Sequence, residues 1–300
     1  VRSSGVGATL DGQGRSRLFS LSGGCSLTLQ GLTLVNGYAD GDGGAIQGSY
    51  AGSLKLADSS IKDSASGGDG GGIAMANSGD VELERSSLSG CQAAGNGGGI
   101  SIRQSGAFAL TNSSSIADCS AGANGGGIAL ADSGALSLTD SAVSSSTAGG
   151  GGGGIAMADS GALSFADSAV SNSIAADSGG GARFESSTSI ATLVRSNVSE
   201  NRATSASAFY YSGSASTPGA VRDSQFVSNV AGDGITITAV SQLSWFPCQL
   251  GEWMPTRGVF EGDVAGCNAC PERYYGNATN LETARCSGTC PLGHFCELGS

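Results

Sequence analysis

An apolar repeat of 27–28 residues runs through most of this chain. One register holds Leu29, Leu56, Leu83, Leu110, Leu138, Phe165, Leu193 and Val221, in steps of 27, 27, 27, 28, 27, 28 and 28. A second keeps step with it: Phe19, Ile46, Ile73, Ile100, Ile128, Ile155 and Ala182. A third follows the first by five or six residues: Leu34, Ile61, Leu88, Ile116, Val143, Val170, Val198 and Phe226. A unit this short cannot bury its own apolar side, but stacked copies can. The pattern therefore predicts one coil of a solenoid per repeat.

Residues 70–96 serve as the type repeat. Gly70-Gly71-Gly72 opens it, and Ile73-Ala74-Met75 alternates with period two, as a strand requires. Asn77-Ser78-Gly79 is a turn cluster, Val81-Glu82-Leu83 alternates again, and Arg85-Ser86-Ser87 turns into Leu88-Ser89-Gly90-Cys91. Three short strands per coil leave no room for a helix, and the Gly, Ser and Thr content opposes one. The expectation is an all-β parallel β-helix of about nine coils, with three sheets over residues 15–240. At roughly 4.8 Å per rung it would be a rod on the order of 40 Å long.

Stacking turns the repeat into columns. Ser59, Ser86, Ser113, Ser141, Ser168, Ser196 and Ser224 fall three residues after the first register, where hydroxyls can bond turn backbone or the next coil. Just before them stand Asp58, Arg85, Asn112, Asp140, Asp167, Arg195 and Asp223, which read as solvent-facing turn residues. The two arginines argue against a metal column. A further column, Gly37, Ser64, Cys91, Cys119, Ser146, Ser173, Asn201 and Asn229, is small or amide-bearing and predicts a tight inward corner. Cys91 and Cys119 are equivalent in adjacent coils, within disulfide range; a bridge and two stacked buried thiols both remain open. Cys25 has no evident partner.

Two motifs within the repeat are familiar. Gly43-Gly44-Ala45-Ile46 reads GGAI and Phe226-Val227-Ser228-Asn229 reads FxxN. GGGI recurs at Gly70, Gly97, Gly125 and Gly152, and Val198-Ser199-Glu200-Asn201 reads VxxN. This resembles the repeats of polymorphic outer-membrane proteins and related right-handed parallel β-helix surface proteins. The resemblance covers roughly residues 15–240 and implies adhesion or surface architecture. Most coils carry Ser or Cys where that family prefers Asn.

Composition shifts after Val240. Trp245, Phe246, Trp253, Met254 and Phe260 suit a cap over the open coil end. Six of the nine cysteines follow: Cys248, Cys267, Cys270, Cys286, Cys290 and Cys296. Such density predicts a disulfide framework in an oxidising compartment, with fifteen pairings open. Zinc is the weaker reading, because the C-x2-C pair lacks a matching partner. The runs Cys270-Pro271 to Gly276 and Cys290-Pro291 to Cys296 resemble the CPxGxY modules of extracellular receptors. The expected organisation is a β-helix over 1–242, a cap and linker over 243–266, and a cysteine-rich module over 267–300. With no initiating Met or signal peptide, and an end four residues after Cys296, the chain reads as a segment of a longer polypeptide.

Net charge is −11 with only 14 Lys and Arg, so nucleic acid and anionic membrane are poor partners. No apolar run approaches the ~18 residues of a membrane span. Asn112, Asn197 and Asn277 begin N-x-Ser/Thr sequons and are glycosylation candidates.

β-Helices also host polysaccharide lyases and glycoside hydrolases, which need carboxylates and a base on one outer face. The outward positions here read Ser20, Gln47, Ala74, Ser101, Ala129, Ala156 and Arg183 on one strand, and Lys55, Glu82, Ala109, Ser137, Ser164 and Thr192 on the next. Glu82, Glu84 and Arg103 are the one local charged patch expected. His294, the single histidine, falls in the cysteine module. No catalytic, cofactor or metal residue is assigned. The sequence points to a non-enzymatic extracellular or cell-surface rod within a larger surface protein, whose partner is a surface protein or glycan. The alternative is a pectate-lyase-like enzyme or a glycan-binding module.

Overall fold

A computed structural model describes residues 1–3, 7–185, 191–212, 219–222, 224–235, 237–238 and 243–245, with two-residue strands at 252–253, 268–269, 274–275 and 288–289. The chain is an all-β solenoid of parallel coils. Equivalent residues of successive coils pair in register: Phe19, Ile46, Ile73, Ile100, Ile128, Ile155 and Ala182 lie one above another. The leucine register stacks likewise from Leu29 to Val221, and the third from Leu34 to Phe226.

Four sheets, not three, run along the described coils, two of nine strands and two of eight. In the type repeat they are entered in order by Ile73–Ala76, Val81–Glu84, Ser87–Ser89 and Gln92–Ala93. The fourth is a sheet that the three apolar registers do not mark. Its strands are two residues long, and the inward residue is usually alanine, as at Ala93, Ala121, Ala148 and Ala175. One small inward side chain per coil leaves almost no apolar signal. The backbone still completes its ladder, as Gln92 and Ala93 do with Ser120 and Ala121.

The core is aliphatic through the middle coils and aromatic towards the C-terminal coils. Ile73, Ile100, Ile128 and Ile155 are fully buried, with Leu56, Leu83 and Leu110. Further on, Phe184 meets Phe209 edge-on at 5.8 Å and stacks on Tyr211 at 4.5 Å. Phe226 closes on Phe209 at 5.5 Å. These geometries suit the ring quadrupoles. Each inward row is thus continuous between coils, which is how a thin core stays dry.

Corners follow one rule at three of the four bends. A residue in the left-handed region is followed by a buried or half-buried Ser, Cys or Asn whose side chain ties two coils. Asp58, Arg85, Asp140, Asp167 and Arg195 have φ between 46° and 51°. The next serine accepts an N–H from the preceding coil and donates its own hydroxyl two residues back. Ser59 N–H reaches Ser86 Oγ at 3.1 Å, and Ser86 Oγ donates to the Glu84 carbonyl at 2.8 Å. Ser141, Ser168 and Ser196 repeat the pattern.

One member of this column was misplaced. Ser114, not Ser113, accepts the Ser86 N–H, at 3.1 Å, and is buried. Ser113 is exposed with φ 64°, beside Asn112 at 55°. The extra residue of that 28-residue step is absorbed in the bend, as a second left-handed residue.

The other serine corner was read only as a turn. Ser78, Ser105, Ser133 and Ser160 form a ladder there, with N–H to Oγ distances of 3.0–3.4 Å. The predicted inward corner is real: Ser64, Cys91, Cys119, Ser146, Ser173 and Asn201 are buried. Asn201 Nδ2 donates to Asn229 Oδ1 at 3.0 Å and to the Val170 carbonyl, also at 3.0 Å.

The fourth bend, at the glycine runs, brings the backbones of successive coils into close contact. Gly97 has φ 67°. A Cβ on Gly98 would fall onto the carbonyls of Gly126 and Ser120, so only glycine lets the coils approach this closely.

Candidate functional site

The outward side chains of the glycine-led sheet form a groove. Ser101, Ala129 and Ala156 make its floor and are each less than a tenth exposed although they point away from the core. Asp69, Asn96 and Asn124 stand along one wall and Arg103 and Glu185 along the other, while Arg183 follows Ala156 in the floor row, around a volume of about 120 Å³. A smaller recess beside it is lined by Asp42, Gln47, Ala74 and Arg103.

The Asp/Asn wall is a further ladder, which sequence reasoning missed. Asp42 Oδ1 accepts the Asp69 N–H at 2.9 Å; Asp69 Oδ1 accepts the Asn96 N–H at 2.7 Å and its Nδ2 at 3.2 Å. Asn96 Oδ1 takes the Asn124 N–H at 3.1 Å, and Asn124 Oδ1 takes the Gly151 N–H at 2.9 Å. The signal was present: an Asp or Asn directly before the left-handed glycine of four successive coils, at Asp42, Asp69, Asn96 and Asn124.

Two arginines supply the positive charge of the groove. Arg103 faces carboxylates of two coils, with Nη2 3.8 Å from Asp42 Oδ2 and Nη1 3.7 Å from Asp69 Oδ2. Arg183 is more enclosed. Its Nη1 lies 3.1 Å from Asp177 Oδ2, its Nη2 pairs with Glu185, and its guanidinium carbon sits 5.8 Å from the Tyr210 ring centre. Arg183 Nε is buried with no acceptor. Two cationic arms over a floor of methyl and hydroxyl groups can hold a small polar or anionic group. The carboxylates Asp42, Asp69, Asp177 and Glu185 are each engaged by a guanidinium.

The expected Glu82–Glu84–Arg103 patch does not form. Glu82 and Glu84 lie on the second sheet and Arg103 on the first. Lys55 instead bridges Glu82 at 3.1 Å and Glu84 at 3.0 Å, and Arg85 pairs with Glu84 and Asp58. Hydrogen bonds to Glu84 and Glu82 raise the Lys55 pKa; those from Lys55 and Arg85 lower that of Glu84. Two cations thus share three carboxylates in this network.

Among the cysteines described, Cys91 and Cys119 are buried free thiols and Cys25 is an exposed one. Asn112 and Asn197 are both exposed. Cys248, Cys267, Cys270, Cys286, Cys290, Cys296, Asn277 and His294 lie outside the described residues, as do the side chains of the expected aromatic cap.

In-register parallel coils with laddered corners define a parallel β-solenoid. The family model for the right handed beta helix region matches residues 8–170 and again 71–244, and the chain belongs to that family. No curated protein and no solved structure is a match for it.

Proposed function

We propose that this chain is a non-enzymatic structural or adhesion rod, extracellular or at a cell surface, within a larger surface protein. The observation that carries this reading is the continuity of the corner ladders. Consecutive coils are tied by side-chain hydrogen bonds at all four bends, with close backbone contact added at the glycine runs. Such repetition stiffens the long axis, and buried polar networks of this kind fix a single geometry. The GGAI and FxxN repeats and the C-terminal cysteine density support a surface setting, where the partner is a surface protein or a glycan.

The groove supports a second reading, as a glycan-binding module or a carbohydrate-active enzyme, because Arg103 and Arg183 flank an open floor. The test is incubation with polygalacturonate, alginate and neutral polysaccharides, with and without calcium, followed by assay for new reducing ends and unsaturated products. The rod reading expects no turnover on any of them. Turnover lost in Arg103→Ala or Arg183→Ala would replace it with the enzyme reading. Binding without turnover, lost in the same variants, would favour the glycan-binding module.

A further inference from the structure

Cys91 and Cys119 interrupt a column of buried Ser and Asn with the two thiols the coil stack holds in adjacent rungs. Their relative position is fixed from both sides, since Ser89 pairs with Ala117 just before them and Gln92 with Ser120 just after. Residues so placed are one strand spacing apart, roughly 4.8 Å, inside the roughly 4.4–6.8 Å Cα range of a disulfide.

Both sulfurs point inward, against the main chain at Gly72 and Gly99; a Cβ there would come within 3.2 Å of each Sγ. Each also plays the serine role, with Cys91 Sγ 3.6 Å from the Ser89 carbonyl and Cys119 Sγ 3.2 Å from the Ala117 carbonyl. The pair is buried, 0% and 1% exposed.

We propose that Cys91 and Cys119 close an inter-coil disulfide when the chain folds in the presence of a small disulfide oxidant such as oxidised glutathione. One cysteine thiolate attacks the oxidant's S–S bond, releasing one reduced glutathione and leaving a mixed disulfide. The second thiolate attacks the protein sulfur of that mixed disulfide and releases the other glutathione. Two S–H bonds and one S–S bond are exchanged for one protein S–S bond and two glutathione S–H bonds. The protein loses two electrons and two protons, and the oxidant gains them.

Timing follows from burial. The mixed disulfide carries a tripeptide that the closed corner cannot hold, so exchange precedes docking of the coils. Once folded in the reduced state, the two thiols are shielded from the oxidant. The bond would therefore record the redox state at folding.

The experiment is refolding of the whole chain from denaturant in a glutathione redox buffer, and separately in reductant. The folded fraction is isolated, then unfolded in denaturant with the alkylating reagent present and digested without reduction for mass spectrometry. The expected result is a linked peptide pair joining Cys91 to Cys119, two hydrogen masses lighter than the free peptides. It should be absent from reductant-folded material and from Cys91→Ser and Cys119→Ser. Those variants should fold, because Ser64, Ser146 and Ser173 fill the same position in other coils. Alkylated Cys91 or Cys119 in folded, oxidised wild-type protein would overturn the proposal, as would a link from either to Cys25 or to a C-terminal cysteine.

Discussion

Arg85 reaches across one coil to clasp Asp58, with Nε 2.6 Å from Oδ1 and Nη2 3.1 Å from Oδ2. Arg195 makes the same bidentate contact with Asp167, at 2.7 Å through Nε and 2.7 Å through Nη2. In both pairs each residue occupies the left-handed position of its own corner. The arginines that argue against a metal column are therefore the partners of its aspartates.

These clasps carry a pH signature. The hydrogen bond from Arg85 lowers the Asp58 pKa below 3.8, and Arg195 does the same for Asp167. A carboxylate depressed in the folded state contributes stability above its unfolded pKa and loses it as pH falls through the folded value. The difference in Tm between wild type and Arg85→Gln should be constant from neutral pH to about pH 5 and shrink as the pH falls below the ordinary carboxylate range. The effect should be small and salt-sensitive, because the pair is exposed. A difference that grows on acidification would contradict the clasp.

The serine column separates two adjacent hydroxyls. Ser114→Ala strands the buried Ser86 N–H and should cost about 1–3 kcal/mol in urea unfolding. Ser113→Ala, at an exposed position, should fall within about 0.5 kcal/mol of wild type. The reverse order would restore the register in which Ser113 holds the column.

Glycines at the fourth bend differ in the same way. Gly98→Ala drives a methyl into two backbone carbonyls and should cost about 3 kcal/mol or more. Gly41→Ala meets open space and should be neutral or stabilise by up to about 1 kcal/mol. Thermal unfolding of the two variants side by side checks this.

The apolar registers could be read directly because Ile73, Ile100, Ile128 and Ile155 are large, inward and evenly spaced. The fourth sheet could not, because Gln92-Ala93 and Thr147-Ala148 offer one small inward residue each. In Asn112-Ser113-Ser114-Ser115 three adjacent serines are interchangeable to a pattern, and only burial singles out Ser114. The Asp42-to-Asn124 ladder was masked by the glycine runs beside it. The groove depends on Arg103 and Arg183, nearly three repeats apart in sequence and brought to one groove by the stacking. The pairing of Glu82 with Lys55 rather than with Arg103 follows from which sheet each strand joins, and the period alone does not show that.

The C-terminal cysteines give a prediction of their own. Residues 247–300 hold few aliphatic side chains, too few for a module of this size to be held by burial alone. Most of Cys248, Cys267, Cys270, Cys286, Cys290 and Cys296 should be protected when secreted material is alkylated without reductant. Loops of about 15 residues would each contribute about 3 kcal/mol. Reduction should loosen this segment and leave the rod's far-ultraviolet dichroism unchanged, since coil stability is local to neighbours. Free thiols at all six positions, or bound zinc, would contradict both the disulfides and the oxidising compartment.

That each 27–28-residue repeat adds one rung to a straight stack is tested by the distance between spin labels on non-canonical residues at the exposed corner. Asp58 and Asp167 are four coils apart, and Asp58 and Arg195 five. Double electron–electron resonance should give backbone separations of roughly 19 Å and roughly 24 Å, an increment of one strand spacing per repeat. Equal distances for the two pairs, or an increment of several strand spacings, would contradict the solenoid.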